Sequence, residues 1–122
     1  MVEVICDTNF LIHLATRRIK NFDKLFLDLG SVTFLVPNVV YNELENLQNH
    51  SKKQHEISQT LEYIKKLERI PINGNYADKE ILNFVENNRT FIGTMDKELK
   101  KKVKALGSSI ISFHNNYLIL EN

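Results

Sequence analysis

Four acidic residues fall where a small α/β protein usually does its chemistry: Asp7, Glu43, Asp78 and Asp96. Asp7 follows the apolar run Val2-Glu3-Val4-Ile5-Cys6 and precedes Thr8-Asn9 and a wider-spaced apolar pattern, which reads as strand, turn, helix. Asp96 stands two residues past Thr94, just after the short apolar run Phe91-Ile92-Gly93. Glu43 lies on the first turns of one expected helix and Asp78 at the start of another. In an open parallel sheet, ligands gather at the carboxyl ends of the strands, the edge at which all four acids are expected. Two carboxylates about 4 Å apart repel by roughly 4 kcal/mol at an effective dielectric of about 20, so four held together demand a cation. Oxygen-only donors select hard ions, Mg²⁺ or Mn²⁺, which suit phosphoryl chemistry by activating water and neutralising phosphate charge.

Each acid also has a plainer reading. An aspartate before a helical run caps orphan amide donors, and this competes for Asp7, Asp78 and Asp96. Asp78 shares a helical face with Ile81 and Val85 and sits at the positive end of the helix dipole. Glu43 and Glu45 are separated by about 200° around a helix, so only one can face a given site. Glu43, one turn from Leu47, is nearer the apolar stripe. Asn9 and Thr94 are candidates to hydrogen-bond and orient the pocket carboxylates, with turn formation as the rival role.

The run from Lys97 to Lys104 holds five lysines against one glutamate. Such a run is ordinarily a solvated helix face, but beside an acidic pocket it would draw phosphates that the acids repel. Lys97, Lys100, Lys101 and Lys104 are the candidate RNA-phosphate contacts, with Arg17, Arg18 and Lys20 a second basic group. The four histidines have no zinc-site spacing. Neither a glycine-rich phosphate loop nor a Ser/His/Asp signature is present.

The elements that must position these groups alternate. After the first strand, Phe10, Leu11 and Leu14 mark a short helix, and Phe22, Leu25, Phe26 and Leu29 a second that Gly30 terminates. Val32 to Val36 reads as a buried strand, stopped by Pro37-Asn38, with Asn38 as the N-cap of a helix carrying Val40, Leu44 and Leu47. The polar stretch from His50 to Gln54 breaks that helix and suggests a mobile loop beside the substrate. Ile57, Leu61, Ile64 and Leu67 restore an amphipathic helix, and Ile70-Pro71-Ile72 reads as a short edge strand. Asn73-Gly74-Asn75 is a turn; then come a helix with Ile81, Leu82, Phe84 and Val85, the strand Phe91 to Gly93, a helix with Leu99, Val103 and Leu106 closed at Gly107, and the strand Ser109 to Phe113. Tyr117 to Leu120 is expected as a packed tail or short extra strand. Alternating strands and helices imply a three-layer α/β/α sandwich around a central parallel sheet.

At 122 residues and 43% hydrophobic content, residues 1–122 suit a single domain with one core. A net charge of +1 does not by itself announce a nucleic-acid partner. The apolar runs are too short for a membrane helix and the start lacks a signal-peptide pattern, so a soluble cytoplasmic protein is expected. Cys6 stands alone inside a buried strand, which favours packing over chemistry.

Several of these pieces together resemble a PIN domain along nearly the whole chain. They are Ile5-Cys6-Asp7-Thr8-Asn9, Val39-Val40-Tyr41-Asn42-Glu43-Leu44, Tyr76-Ala77-Asp78-Lys79-Glu80-Ile81, and Gly93-Thr94-Met95-Asp96-Lys97-Glu98-Leu99. The resemblance implies a sheet ordered 3-2-1-4-5, a Mg²⁺- or Mn²⁺-dependent endoribonuclease acting on RNA, and an acidic pocket of Asp7, Glu43, Asp78 and Asp96. Met95 departs from the pattern, since many relatives have a polar residue there. Two roles are compatible with it: a VapC-type toxin with a neutralising antitoxin, or a nuclease that matures ribosomal RNA precursors. Such relatives often dimerise, so a homodimer is expected.

Two other classes compete. A non-catalytic RNA- or protein-binding PIN domain would keep the basic helix without needing metal, though the intact acids speak against it. A phospho-receiver domain needs an acceptor aspartate after a central strand and a lysine after the last, yet Val36 leads into Pro37-Asn38 and Ser112 into Phe113-His114.

Overall fold

In the computed structural model, which describes residues 2–20, 29–50 and 52–121, the first strand β1 (Val2–Cys6) lies inside a six-stranded sheet. The other strands are β2 (Val32–Pro37), β3 (Glu68–Ile70), β4 (Phe91–Gly93), β5 (Ser109–His114) and β6 (Tyr117–Glu121). Their order is β3-β2-β1-β4-β5-β6, the expected 3-2-1-4-5 sheet extended by one strand. Strands β1 to β5 run parallel, and β6 returns antiparallel to β5. Val4, Ile5 and Cys6 are all buried, the continuous apolar pattern of a strand covered on both faces.

Helices α1 (Thr8–Thr16), α2 (Asn38–His50) and α3 (Gln54–Ile64) follow β1 and β2, and α4 (Ala77–Asn87) and α5 (Lys97–Ala105) come later. From β1 the chain steps outward through β2 to β3, then returns past β1 to β4 and β5. Right-handed crossovers therefore place α1, α2 and α3 on one face and α4 and α5 on the other. Within the faces, α1 and α2 pack on α3 and α4 packs on α5, while α2 and α4 also meet. The helix expected around Phe22, Leu25 and Phe26 lies outside the described residues. Gly30, just beyond it, has a φ of 77°, which glycine adopts without a Cβ penalty. Among the described residues, no helix is long and apolar enough to cross a membrane.

Several local expectations shift. Asn38 is the first residue of α2 rather than a side-chain cap. Its amide accepts from Arg69 Nε at 3.1 Å and donates to Asn73 at 3.0 Å, while the Val39 N–H donates to the Ile72 carbonyl at 2.9 Å. That carbonyl satisfies a donor of the first turn, and the Arg69 guanidinium lies over the Tyr41 ring at 4.0 Å. The edge strand β3 ends at Ile70, two residues before the expected Ile72, which leaves Pro71 beyond the ladder where its missing donor costs nothing. Leu106 falls past the end of α5 and is exposed instead of completing its apolar stripe. The break between α2 and α3 is where it was expected. The apolar face of α3, with Ile57, Leu61 and Ile64, is consumed by the core.

Between β5 and β6, Asn115 and Asn116 have φ of 50° and 66°, two consecutive positive values that close a tight hairpin. The tip reaches α1: Asn116 Oδ1 lies 3.0 Å from His13 Nε2, and the His13 ring stacks on Phe113 at 4.1 Å.

Candidate active site

Strand β1 is the point at which the sheet changes direction, since it pairs with β2 on one side and β4 on the other. Crevices at such switch points are where open α/β sheets bind ligands. The register sets Cys6 beside Gly93, so Asp7 and Thr94 leave the sheet as neighbours. The Asp7 N–H donates to the Gly93 carbonyl at 3.0 Å, and the Thr94 N–H to the Ile111 carbonyl at 3.1 Å. The ends of β1 and β4 are thereby tied to each other and to β5 directly beneath the acids.

Asp7 is the N-cap of α1, its Oδ1 accepting from the Phe10 N–H at 2.8 Å. Its Oδ2 accepts from the Thr94 hydroxyl. Thr94 in turn accepts the Asp96 N–H at 3.1 Å, and Asp96 caps α5 through Oδ1, which accepts the Leu99 N–H at 2.9 Å. One fully buried hydroxyl thus links two capping aspartates 89 positions apart. For these two residues capping and cavity lining are not alternatives. Asp78, by contrast, caps nothing: the N-cap of α4 is Tyr76, and Asp78 stands exposed in the first turn.

All four acids line one cavity of about 700 Å³, Glu43 from α2 and Asp78 from α4, with Asn9 on the same wall. Glu45, two residues from Glu43, is exposed to solvent, as the helical geometry requires. Asp7 is only 5% exposed. Burial pushes its carboxyl up to about 6 and the charges of Asp78 and Asp96 add to the rise, against the lowering effect of the bonds from Thr94 and Phe10. Asp78, exposed yet partly desolvated at the cavity wall, is also raised, with the charge of Asp96 adding and that of Lys102 opposing. Burial, with the charge of Asp7 adding, pushes the Cys6 thiol well up, in keeping with a packing role.

The basic helix divides its lysines. Lys100 and Lys104 pair with Glu121 of β6 at 2.8 and 3.3 Å, while Lys97 and Lys101 are exposed. Lys102, not singled out from the sequence, lines the acidic cavity and pairs with Glu98 at 3.4 Å. Two other side chains missed in the sequence also line it, Lys79 and Tyr76, the latter 71% exposed.

Among the described residues, no three His, Cys, Asp or Glu side chains converge closely enough to hold a metal ion. The donor set nevertheless fits a hard cation in kind: its acids are carboxylates, and Asp7 feels the charges of two others. Among the described residues, the buried hydroxyl of Thr8, a residue that lines the same cavity, has no hydrogen-bond partner. Asp78 and Asp96 are the exposed members of the set.

Comparison with known proteins gives a consistent picture. A family model described as a PIN like domain matches residues 4–116. Ribonuclease VapC4 of Methanocaldococcus jannaschii is 33% identical over 110 residues, covering 84% of this chain and 83% of that protein. The solved structure of the PIN domain endonuclease Utp24 superimposes with a TM-score of 0.76 at 29% identity, covering 98% of this chain and 90% of that one. A domain of a functionally unknown protein from M. jannaschii shares the fold, with a TM-score of 0.61 at 15% identity and coverage of 93% and 92%.

Proposed function

This chain belongs to the PIN-like domain family, and from that membership and its acidic cavity we propose that it is a metal-dependent endoribonuclease. The observation that carries the reading is that Asp7, Glu43, Asp78 and Asp96, scattered through the sequence, line a single cavity at the sheet's switch point. The names of its relatives, a ribonuclease and an endonuclease, support the same reaction class. Asp7, Asp78 and Asp96 would hold Mg²⁺ or Mn²⁺, with Glu43 completing the set. When bound, the ion supplies an activated water and offsets charge on the attacked phosphate.

The protein's own residues do the positioning. Asp7 keeps one orientation because both its oxygens are bonded, while Thr94 accepts the Asp96 backbone N–H and the Leu99 N–H holds the Asp96 carboxylate. Lys79 and Lys102 counter the repulsion between four acids and an incoming phosphate. The exposed Tyr76 ring at the cavity offers a face on which an RNA base can stack.

Purified protein is expected to cut single-stranded or structured RNA internally with Mn²⁺ or Mg²⁺, and not in EDTA. Equal cleavage by an Asp7→Asn, Asp96→Asn double variant would refute the reading. RNA binding without cleavage would favour a non-catalytic PIN domain. Whether the biological role is that of a toxin or of an RNA-maturation nuclease is decided by genomic neighbourhood, a small adjoining antitoxin frame marking the former.

A further inference from the structure

Next to the acidic cavity lies a second one, of about 310 Å³, between α1 and the start of α3, which adds Lys53 and Glu56 to its wall. Asn9 and Asp96 line both, so the two form one groove with these side chains at the divide. Its volume is at the lower end of small-ligand pockets, a size that suits one nucleotide. Its walls are mixed. Ile12 and Met95 are half-buried and apolar, and a thioether adapts well to a flat ring. Arg17, exposed at the C-cap of α1, adds a guanidinium, the side chain best shaped for two phosphate oxygens. His13 is pinned by Phe113 and Asn116, which makes it a fixed wall. The acidic cavity alone has no such pairing of apolar walls with an arginine.

Resting on the nuclease reading above, we propose that this second cavity is a subsite for the RNA nucleotide adjoining the cleaved bond, its base against Ile12 and Met95 and its phosphate on Arg17. Met95 then becomes part of the base-contacting wall. The strand crosses the divide at Asn9 and Asp96, so the bond to be cut lies over the acids while its neighbour is held on α1.

The test is binding without turnover. An Asp7→Asn protein in EDTA is titrated into a fluorescein-labelled, mixed-sequence single-stranded RNA oligonucleotide, with and without Arg17→Ala or Met95→Asp. Either substitution is expected to weaken binding about tenfold. The same RNA carrying 4-thiouridine is expected to photocrosslink to peptides containing Ile12 to Arg17 or Met95. Unchanged affinity in both variants, crosslinks confined to other segments, or no RNA binding at all would each overturn the proposal. Absence of cleavage by the wild-type protein in Mn²⁺, with binding and crosslinks as expected, would refute the nuclease reading and leave the cavity as an RNA nucleotide site without a cleaved bond beside it.

Discussion

Replacing Asp7 by asparagine should stabilise the protein at neutral and alkaline pH. The carboxyl rises from 3.8 to about 6 on folding, chiefly through burial. Between those two values the folded protein holds a proton that the unfolded chain has lost, so stability falls as pH rises from about 4 to about 6 and stays lower above that range. Two pH units at about 1.4 kcal/mol each put the ionised carboxylate's cost at about 3 kcal/mol. Asparagine avoids that cost, caps helices as well as aspartate does, and can still accept the Phe10 N–H. Its amide would donate to Thr94 Oγ1, whose proton must re-aim because it now points at the carboxylate. Allowing for that rearrangement, Asp7→Asn is expected to gain about 1 to 3 kcal/mol near pH 8 and nothing near pH 4. Urea unfolding followed by circular dichroism in EDTA at both pH values measures it, with equal slopes confirming a change of stability alone. A variant less stable than wild type at both pH values would refute the reasoning, because Asp7 would then be a structural cap whose charge is already compensated.

Thr94→Val should cost about 1 to 3 kcal/mol, since the Asp96 N–H and one Asp7 oxygen lose their partner, and should cut kcat at least about tenfold where Thr94→Ser stays near wild type. Urea midpoints and RNA cleavage rates separate the two effects. Gly93→Ala puts a Cβ 2.8 Å from the Phe10 ring, which is held among Phe34 and Phe113 and cannot yield, so a loss of about 1 to 3 kcal/mol is expected in the same unfolding assay. Lys102→Ala should raise the KM for RNA several-fold with little change in kcat and flatten its salt dependence, whereas Lys101→Ala should leave both within about twofold. Adding Mn²⁺ at about a hundred times its Kd should stabilise wild type by about 3 kcal/mol and Asp7→Asn far less, read as thermal shifts.

Much of this architecture could be read from residue order because the local signals agree with the global fold. Val4, Ile5 and Cys6 form a continuous apolar run that only a doubly covered strand needs, and Gly107, with φ of 87°, ends α5 where the apolar stripe stops. The placement of the acids was legible for the same reason, as strand ends and helix starts locate a carboxylate without any long-range information. What escaped depends on contacts between distant segments. Lys100 and Lys104 share a helix face, but that they meet Glu121 follows from a hairpin closed by Asn115-Asn116. Lys102 looks elsewhere because two residues turn a helix by about 200°. Asn38 reads locally as a cap, yet its amide goes to Arg69 and Asn73, over thirty positions away.

The hydroxyl of Thr94 joins the aspartate that follows β1 to the one that follows β4, 89 positions later. During synthesis, therefore, no early fragment carries the complete set of acids. The set of four is complete only after Asp96 has emerged and β4 has paired with β1.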